Sequence, residues 1–191
     1  MRFTQTASAL VVAAFAVLAG CSSSGTSMGR IRDVPPKTIV VSEMIGSSGD
    51  PIGKAVLSQE AGGTRIQLDI NGLPAGTYGV HLHAVGKCET PAFTSAAGHF
   101  NPGMTQHGRM NPAGEHAGDL PNLVVGADRH GVLDAVKADL RLADGAAPLL
   151  DGDGAAIMVH AGPDDYKTDP SGNSGARIAC GVISSGKPPA P

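Results

Sequence analysis

The chain has 191 residues, a length that suits a single domain with its own hydrophobic core. Aromatic residues make up only 3% of the sequence, whereas 27 glycines and 14 prolines indicate many turns between short elements, which favours an all-β fold. The formal net charge is −3, from 14 basic and 17 acidic residues, and the runs of like charge are short, so the sequence argues against nucleic-acid binding.

The first twenty residues have the features of a secretory signal peptide. Arg2 precedes an apolar run that is too short to span a bilayer comfortably, and small residues follow this run. The residues LAGC at 18–21 are similar to a bacterial lipobox, in which Cys21 is acylated and becomes the mature N-terminus. We therefore expect residues 1–20 to be a lipoprotein signal peptide and residues 21–36 to be a lipidated, flexible tether.

This leader predicts a location in the bacterial cell envelope or periplasm, with a lipid anchor in a membrane. The sequence does not distinguish the inner from the outer membrane. The alternative is a soluble secreted protein whose signal peptide happens to contain a cysteine.

The chain contains three cysteines, Cys21, Cys88 and Cys180. If Cys21 carries lipid, the other two form one pair in an oxidising compartment, and a disulfide between them is the natural interpretation. Such a bond would close a loop of about 90 residues, which contributes about 4–5 kcal/mol in the chain-entropy account. A reactive free thiol is the alternative.

From residue 37 to residue 186, short apolar segments alternate with turn sequences. In one of them Ile66, Leu68 and Ile70 alternate with polar residues, the period of a strand with one buried face. We count about eight such segments, at 37–44, 52–59, 64–70, 77–85, 123–127, 131–140, 155–161 and 176–184. The prediction is an all-β domain, an eight-stranded Greek-key barrel or sandwich of the immunoglobulin-like kind, followed by a C-terminal tail at 187–191.

Two long segments, residues 86–119 and 161–176, interrupt this rhythm. Loops of this length in compact domains are usually functional or disordered. The first contains three histidines among many glycines and prolines, so something other than a hydrophobic core has to order it. A bound metal ion would do so.

Histidines are the strongest functional signal. His81 and His83 lie two residues apart in a predicted strand, so both side chains leave the same face and can reach one ion. Further donors lie in the first long segment and at the end of a late strand: His99, His107, His116, Asp119 and His160. Seven donors exceed the need of one tetrahedral site, which indicates two neighbouring metals, with one two-nitrogen imidazole shared between them. His130, in a turn, is expected to be a bystander.

Five blocks of the sequence resemble bacterial copper/zinc superoxide dismutases. In chain order they are GVHLHAVGKC, GHFNP, HGRMNPAGEHAGDL, VHAGPDD and GARIACGVI, and the resemblance covers about residues 37–185. It implies an enzyme that converts superoxide to oxygen and hydrogen peroxide by alternate reduction and reoxidation of a copper ion, next to a structural zinc ion. Copper and zinc would be the cofactors and superoxide the substrate.

The same resemblance implies two sets of metal ligands. The copper set would be His81, His83, His99 and His160, and the zinc set would be His99, His107, His116 and Asp119. His99 would bridge the two ions and carry a proton during the reaction.

Three other residues receive roles from the resemblance. Asp164 would join a histidine of the copper set to one of the zinc set, although a solvated loop position is the alternative and Asp165 lies next to it. Arg177 would attract the anion and hydrogen-bond to it beside the copper, with a plain surface position as its alternative. Lys167 has an open role, either steering the anion or simply solvated.

Other functions remain as alternatives. One is a non-enzymatic envelope lipoprotein of the same fold that binds copper or zinc, and the other is a structural or adhesive lipoprotein. The insert between Cys88 and His99 is longer than in animal enzymes and the loop before Arg177 is shorter, so the animal dimer interface does not carry over. A homodimer is compatible with the sequence, which does not define its interface.

Overall fold

The computed structural model describes residues 38–186. The predicted signal peptide (1–20), the predicted tether with Cys21 (21–36) and the predicted tail (187–191) lie outside these residues. The described part contains nine strands: β1 Ile39–Gly46, β2 Pro51–Glu60, β3 Gly63–Asn71, β4 Gly76–Tyr78, β5 Val80–His83, β6 Leu123–Val125, β7 His130–Lys137, β8 Ala155–His160 and β9 Arg177–Ile183. One turn of 3-10 helix spans Thr94–Ala96, and within 38–186 no helix is long and apolar enough to cross a membrane.

All nine strands belong to one antiparallel sheet with the order β4-β6-β7-β3-β2-β1-β9-β8-β5. Strands β4 and β5 are consecutive in the chain, yet they lie at opposite ends of this order. The sheet therefore curls until its two ends meet, and the result is a nearly closed barrel. The predicted all-β barrel is confirmed.

The strand count differs from the prediction at Gly79. Residues 77–85 read as one strand in the sequence, but the chain forms β4 and β5 on either side of this glycine. The N–H of Gly79 donates to Gly162 O at 2.8 Å, and a Cβ at Gly79 would lie 2.8 Å from the Cβ of Ser174. Because the glycine lets the chain pass this close to residues 162–174, β4 pairs with β6 and β5 pairs with β8, which gives nine strands instead of eight.

The core follows from the alternation of apolar residues along the strands. Ile66, Leu68 and Ile70 on β3 are fully buried, as their spacing predicted. A third long connection, residues 138–154, joins β7 to β8 and contains no histidine. Its leucines Leu140, Leu142 and Leu149 are buried in the same core cluster, so hydrophobic packing rather than metal accounts for the order of this connection.

The first long loop, defined here as residues 84–122, covers the outer face of β8. Phe93 of this loop is fully buried and packs with Met158 of β8 and Cys180 of β9. A disulfide joins Cys88 of the loop to Cys180, with a Cα–Cα distance of 5.7 Å. The predicted disulfide is confirmed, and together with Phe93 it fixes one end of the loop to the barrel.

Candidate metal centre

Strand β5 holds the first pair of histidines. His81 and His83 alternate along β5 with Val80 and Leu82, which belong to the barrel core. The register places His81 opposite Met158 and His83 opposite Ala156 on β8. The pair therefore lies on the face of β5 turned away from the core, where the first long loop covers it and leaves both rings buried.

Backbone hydrogen bonds bring two segments of the first long loop to the free edge of β5. The N–H of Phe100 donates to Leu82 O and the N–H of Leu82 donates to Gly118 O, both at 2.8 Å. A Cβ at Gly118 would lie 2.5 Å from Leu82 O, so only glycine allows this approach. The two segments place Asp119 opposite His81 and His99 opposite His83.

The predicted copper set is brought together. One nitrogen of each of its four histidines lies within 4.8 Å of the others. The donor atoms His81 Nδ1, His83 Nε2 and His160 Nε2 are buried and have no hydrogen-bond partner among the described residues. Buried polar atoms without partners are costly unless a ligand satisfies them, so these three nitrogens fit a metal ion.

The other nitrogen of each strand histidine has a partner that orients the ring. The Nδ1 atoms of His83 and His160 lie 2.8 Å from Ala97 O and 3.1 Å from Gly175 O, and Nε2 of His81 lies 3.0 Å from Asp164 Oδ2. An N–H at these positions donates to the oxygen, which leaves the opposite nitrogen with a free lone pair. This is the arrangement that metal-binding histidines need.

The predicted zinc set is also brought together. Asp119 Oδ1 lies 3.1 Å from His99 Nδ1, 3.1 Å from His107 Nδ1 and 3.2 Å from His116 Nδ1. The Nδ1 atoms of His99 and His116 are 3.3 Å apart. A tetrahedral ion with bonds of about 2.0–2.1 Å holds its ligands about 3.3 Å apart, so the spacing fits zinc.

His99 lies between the two sets. Its ring stacks on that of His81 at a centroid distance of 4.0 Å, so that His81 also falls within 4.8 Å of three members of the zinc set. Since Nδ1 of His99 faces Asp119, Nε2 is the nitrogen left for the copper set. The structure thus offers one nitrogen of the same ring to each set.

Asp164 joins the two sets from the second long loop, residues 161–176. Its Oδ2 accepts from Nε2 of His81, and its Oδ1 lies 2.9 Å from Nε2 of His107. The neighbouring Asp165 instead organises its own turn through hydrogen bonds from Thr168. Of the two aspartates that the sequence left open, only Asp164 contacts histidines of the two sets.

The electrostatics of the copper set favour neutral rings. Burial lowers the pKa of His83 to about 2 and that of His160 to about 3, and the charge of Arg177 adds to both shifts. Burial also lowers the pKa of His99 to about 4, against the hydrogen bond to Asp119. Neutral imidazoles have the free lone pair that a metal requires.

The zinc set has the opposite character. Burial lowers the pKa of His107, but contacts with the carboxylates of Asp119 and Asp164 outweigh it and raise the pKa to about 9. Burial raises the pKa of Asp119, whereas the contacts with His107 and His99 and the hydrogen bond from the Gly108 N–H hold this pKa far below its ordinary value. In the metal-free protein His107 is therefore protonated at neutral pH, and the two buried carboxylates that stabilise this charge would stabilise a metal cation in the same way.

Arg177 lies at the edge of the copper set. It begins β9 and pairs in register with His160. Its guanidinium donates to the carbonyl oxygens of Phe93 at 2.7 Å and Ala97 at 2.5 Å, and burial lowers its pKa. Ala97 O also accepts from His83, so one carbonyl positions both the arginine and a histidine.

Two predictions concern residues outside the metal sets. His130 lies at the start of β7 on the surface, 3.1 Å from Asp69 Oδ1, and belongs to neither set. Lys167 is exposed on the turn that Asp165 organises, and its role in steering stays a prediction.

Sequence reasoning missed residues that hold the site from outside. Asn122 donates to Asp164 O and accepts from Asp164 N–H, both at 2.9 Å, and thereby fixes the backbone of the bridging aspartate. Asp169 accepts the N–H of His107 at 2.7 Å. Lys137 pairs with Glu115, next to His116, at 2.6 Å. No local pattern marks these residues, because their partners are far away in the chain.

Comparisons with known proteins agree with this geometry. The sequence model described as copper/zinc superoxide dismutase matches residues 52–183. The chain is 43% identical over 143 residues to superoxide dismutase [Cu-Zn] 2 of Aquifex aeolicus, which covers 74% of this chain and 84% of that protein. A solved SOD-like protein from Bacillus subtilis has a TM-score of 0.73 at 40% identity, covering 76% of this chain and 99% of that one.

A second solved structure, the Cu/Zn superoxide dismutase of Brucella abortus, has a TM-score of 0.62 at 32% identity and covers 76% of this chain and 99% of its own. The match in sequence spans most of the domain, and the match in structure includes a barrel of the same kind. The chain therefore belongs to the copper/zinc superoxide dismutase family.

Proposed function

We propose that the protein catalyses the dismutation of superoxide to oxygen and hydrogen peroxide. The observation that carries this proposal is the complete donor arrangement, with three buried, unpartnered nitrogens in the copper set and ligand spacings near 3.3 Å in the zinc set. Relatives of similar identity include proteins named superoxide dismutase and one named only superoxide dismutase-like, so overall identity does not decide activity. The site itself supports the enzyme.

The residues of the copper set supply a nitrogen environment for copper, and bound copper supplies the electron transfer of the reaction by alternating between two oxidation states. His81, His83 and His160 offer the nitrogens that their hydrogen bonds leave free. Asp164 keeps the N–H of His81 on Nε2, so that Nδ1 stays available.

His99 has the chemistry for proton transfer. Its Nδ1 is held in the zinc set, so its Nε2 is the atom on the copper side that can take up a proton and deliver it to a reduced anion. The side chain of His99 is 5% exposed, and the contact of Nδ1 with Asp119 Oδ1 at 3.1 Å fixes the orientation of the ring.

Arg177 supplies the binding charge for the anion. The carbonyls of Phe93 and Ala97 fix its guanidinium beside the copper set, and a fixed cation in a partly buried position attracts a small anion more strongly than a mobile surface lysine. Because the chain as a whole is negatively charged and repels anions, the attraction of superoxide depends on local cations such as Arg177.

The test is a superoxide assay on purified protein loaded with copper and zinc, with the metal content measured on the same sample. Rapid loss of superoxide that requires copper supports the proposal. Full metal content without dismutation would refute it in favour of the alternative function, a copper- and zinc-binding protein of the same fold. Absence of both metals after loading would refute the ligand sets as well.

We also propose that the protein is exported and held at a membrane of the cell envelope through lipid on Cys21. The LAGC sequence at 18–21 supports this, and so does the disulfide between Cys88 and Cys180, which suits an oxidising compartment. Metabolic labelling with a radioactive fatty acid should mark the natural chain but not the Cys21→Ala variant. Label in both forms, or in neither, would contradict acylation at this residue.

A homodimer is a further proposal. The valines Val124, Val132 and Val136 are 53–65% exposed on the outer face of β6 and β7, which gives two copies an apolar surface to share. Analytical ultracentrifugation at micromolar concentration should show a mass of about twice that of the chain, and a single monomer species would contradict the proposal.

A further inference from the structure

His116 differs from the other histidines of the metal sets. In His81, His83, His107 and His160 one nitrogen faces the metal position and the other has an oxygen partner at 2.8–3.1 Å. In His116, Nδ1 faces Asp119 Oδ1 at 3.2 Å, but Nε2 forms no hydrogen bond with any of residues 38–186. Metal-binding histidines almost always donate this second N–H to an oxygen, so His116 lacks an expected partner.

Asp169 of the second long loop is the carboxylate next to that nitrogen. Its Oδ1 lies 3.9 Å from His116 Nε2. This is too long for a direct hydrogen bond, but it is within the range of charge attraction.

A second contact holds the carboxylate of Asp169 in this position. The same Oδ1 accepts the backbone N–H of His107 at 2.7 Å. Asp169 thus lies between two zinc-set histidines, holding the backbone of one and facing the ring of the other. Apart from the ligand Asp119, no other carboxylate in the described residues contacts both histidines.

We propose that Asp169 is a positioning residue for the zinc set that keeps the proton of His116 on Nε2, so that Nδ1 stays free for the metal. This inference rests on the zinc set described under the proposed function. The negative charge of Asp169 stabilises an N–H that points toward it, and the tautomer with the proton on Nδ1 would place that proton against the other ligands. Asp169 acts on His116 as Asp164 acts on His81 and His107.

Two substitutions separate this role from simple support of the loop. Asp169→Asn keeps an oxygen that can accept the N–H of His107 but removes the charge that faces His116. Asp169→Ala removes both. Asp128→Asn is the matched control, since Asp128 also accepts a backbone N–H in an exposed turn, that of His130, and does not contact the zinc set.

The experiment measures zinc affinity by competition with a chelator on the full protein, together with the tautomer of His116 by ¹⁵N NMR in the metal-free form. We expect zinc to bind about tenfold more weakly in Asp169→Asn and at least as weakly in Asp169→Ala, with the natural affinity in Asp128→Asn. The natural protein should carry the proton on Nε2 of His116, and Asp169→Asn should show a larger share on Nδ1.

Natural zinc affinity and an unchanged tautomer in Asp169→Asn would overturn the inference, even if Asp169→Ala binds weakly, because Asp169 would then only hold the backbone of His107. A natural protein that binds no zinc at all would refute the proposed zinc set itself, and the inference with it. If the natural protein binds zinc and the Asp169→Ala variant binds it equally well, the role of Asp169 is refuted while the zinc set stands.

Discussion

Replacing Asp164 with asparagine tests how the two metal sets are joined. The carboxylate accepts at both oxygens: Oδ2 from His81 Nε2 at 3.0 Å, and Oδ1 from His107 Nε2 at 2.9 Å and from the Tyr166 N–H at 2.7 Å. An amide has only one acceptor oxygen, so in either orientation its NH₂ group faces one of the two histidines. That histidine loses its acceptor and is pushed toward the tautomer with the proton on Nδ1, the metal-facing nitrogen.

The magnitude follows from the loss of one oriented ligand. Removing such an outer partner typically weakens metal affinity about 10–100-fold, which corresponds to about 1.4–2.7 kcal/mol. His81 lies in β5, where pairing with β8 still holds its backbone, whereas His107 lies in the first long loop. We therefore expect zinc affinity to fall by the larger factor and copper affinity by the smaller one.

The assay is chelator competition for each metal in turn, followed by elemental analysis of the dialysed protein. Asp165→Asn is the matched control, because this neighbouring aspartate is exposed and contacts Thr168 and Asn173 rather than the histidines. Zinc affinity within twofold of the natural value in Asp164→Asn would refute the reasoning. Equal losses in both variants would show that the loop, and not the bridge to the histidines, is responsible.

Three further predictions follow from the structure. Arg177→Gln should keep both metals but lower kcat/KM for superoxide about 10–100-fold at low salt, since a charge-assisted contact contributes about 1.5–3 kcal/mol. Unchanged kinetics in this variant would exclude the role assigned to Arg177. Replacing both Cys88 and Cys180 with serine removes the disulfide, which joins residues 92 positions apart. The free energy of unfolding measured in urea should fall by about 4–5 kcal/mol, and equal midpoints for the natural protein and the variant would contradict this. In metal-free protein, burial lowers the pKa of His83 to about 2 and that of His160 to about 3. As the pH falls below 6.5, these two rings therefore take up protons in the unfolded chain before they do so in the folded protein. The free energy of unfolding should then fall by up to about 1.4 kcal/mol per pH unit for each ring. Chemical denaturation at about pH 6 and pH 5, where His107 is protonated in both the folded and the unfolded chain, would show a rise instead if the reasoning is wrong.

Local patterns were enough to predict the strands and the donors. The alternation of Ile66, Leu68 and Ile70 predicts a strand with one buried face, because side chains of a strand point to opposite sides in turn. The spacing of His81 and His83 predicts two rings on one face for the same reason. The break at Gly79 escaped this logic, since a strand that changes partner looks continuous in the sequence. The strand predicted at 131–140 is also shorter than expected and ends at Lys137.

The family resemblance supplied the division of the donors into two sets, which spacing alone left open. Their count indicated two ions and a shared imidazole, but not which ring is shared. In the structure the ring of His99 stacks on His81 and turns its Nδ1 to Asp119, which supports His99 as the shared ring. The choice between Asp164 and Asp165 was decided in the same way, because only the folded chain brings one of them to His81 and His107.

The sequence by itself determined the all-β class, the cysteine pair and the residue types that can bind copper and zinc, because these depend on composition, period and local spacing. Tertiary structure alone decided which partners orient those residues. Asn122 hydrogen-bonds to the backbone of Asp164, the carbonyl of Ala97 accepts from Arg177, and the carboxylate of Asp169 lies next to His116. These contacts join positions 42 to 80 residues apart, and a hydrogen bond across such a separation leaves no periodic trace in the chain. It exists only once the barrel has closed and the two long loops have met over β5.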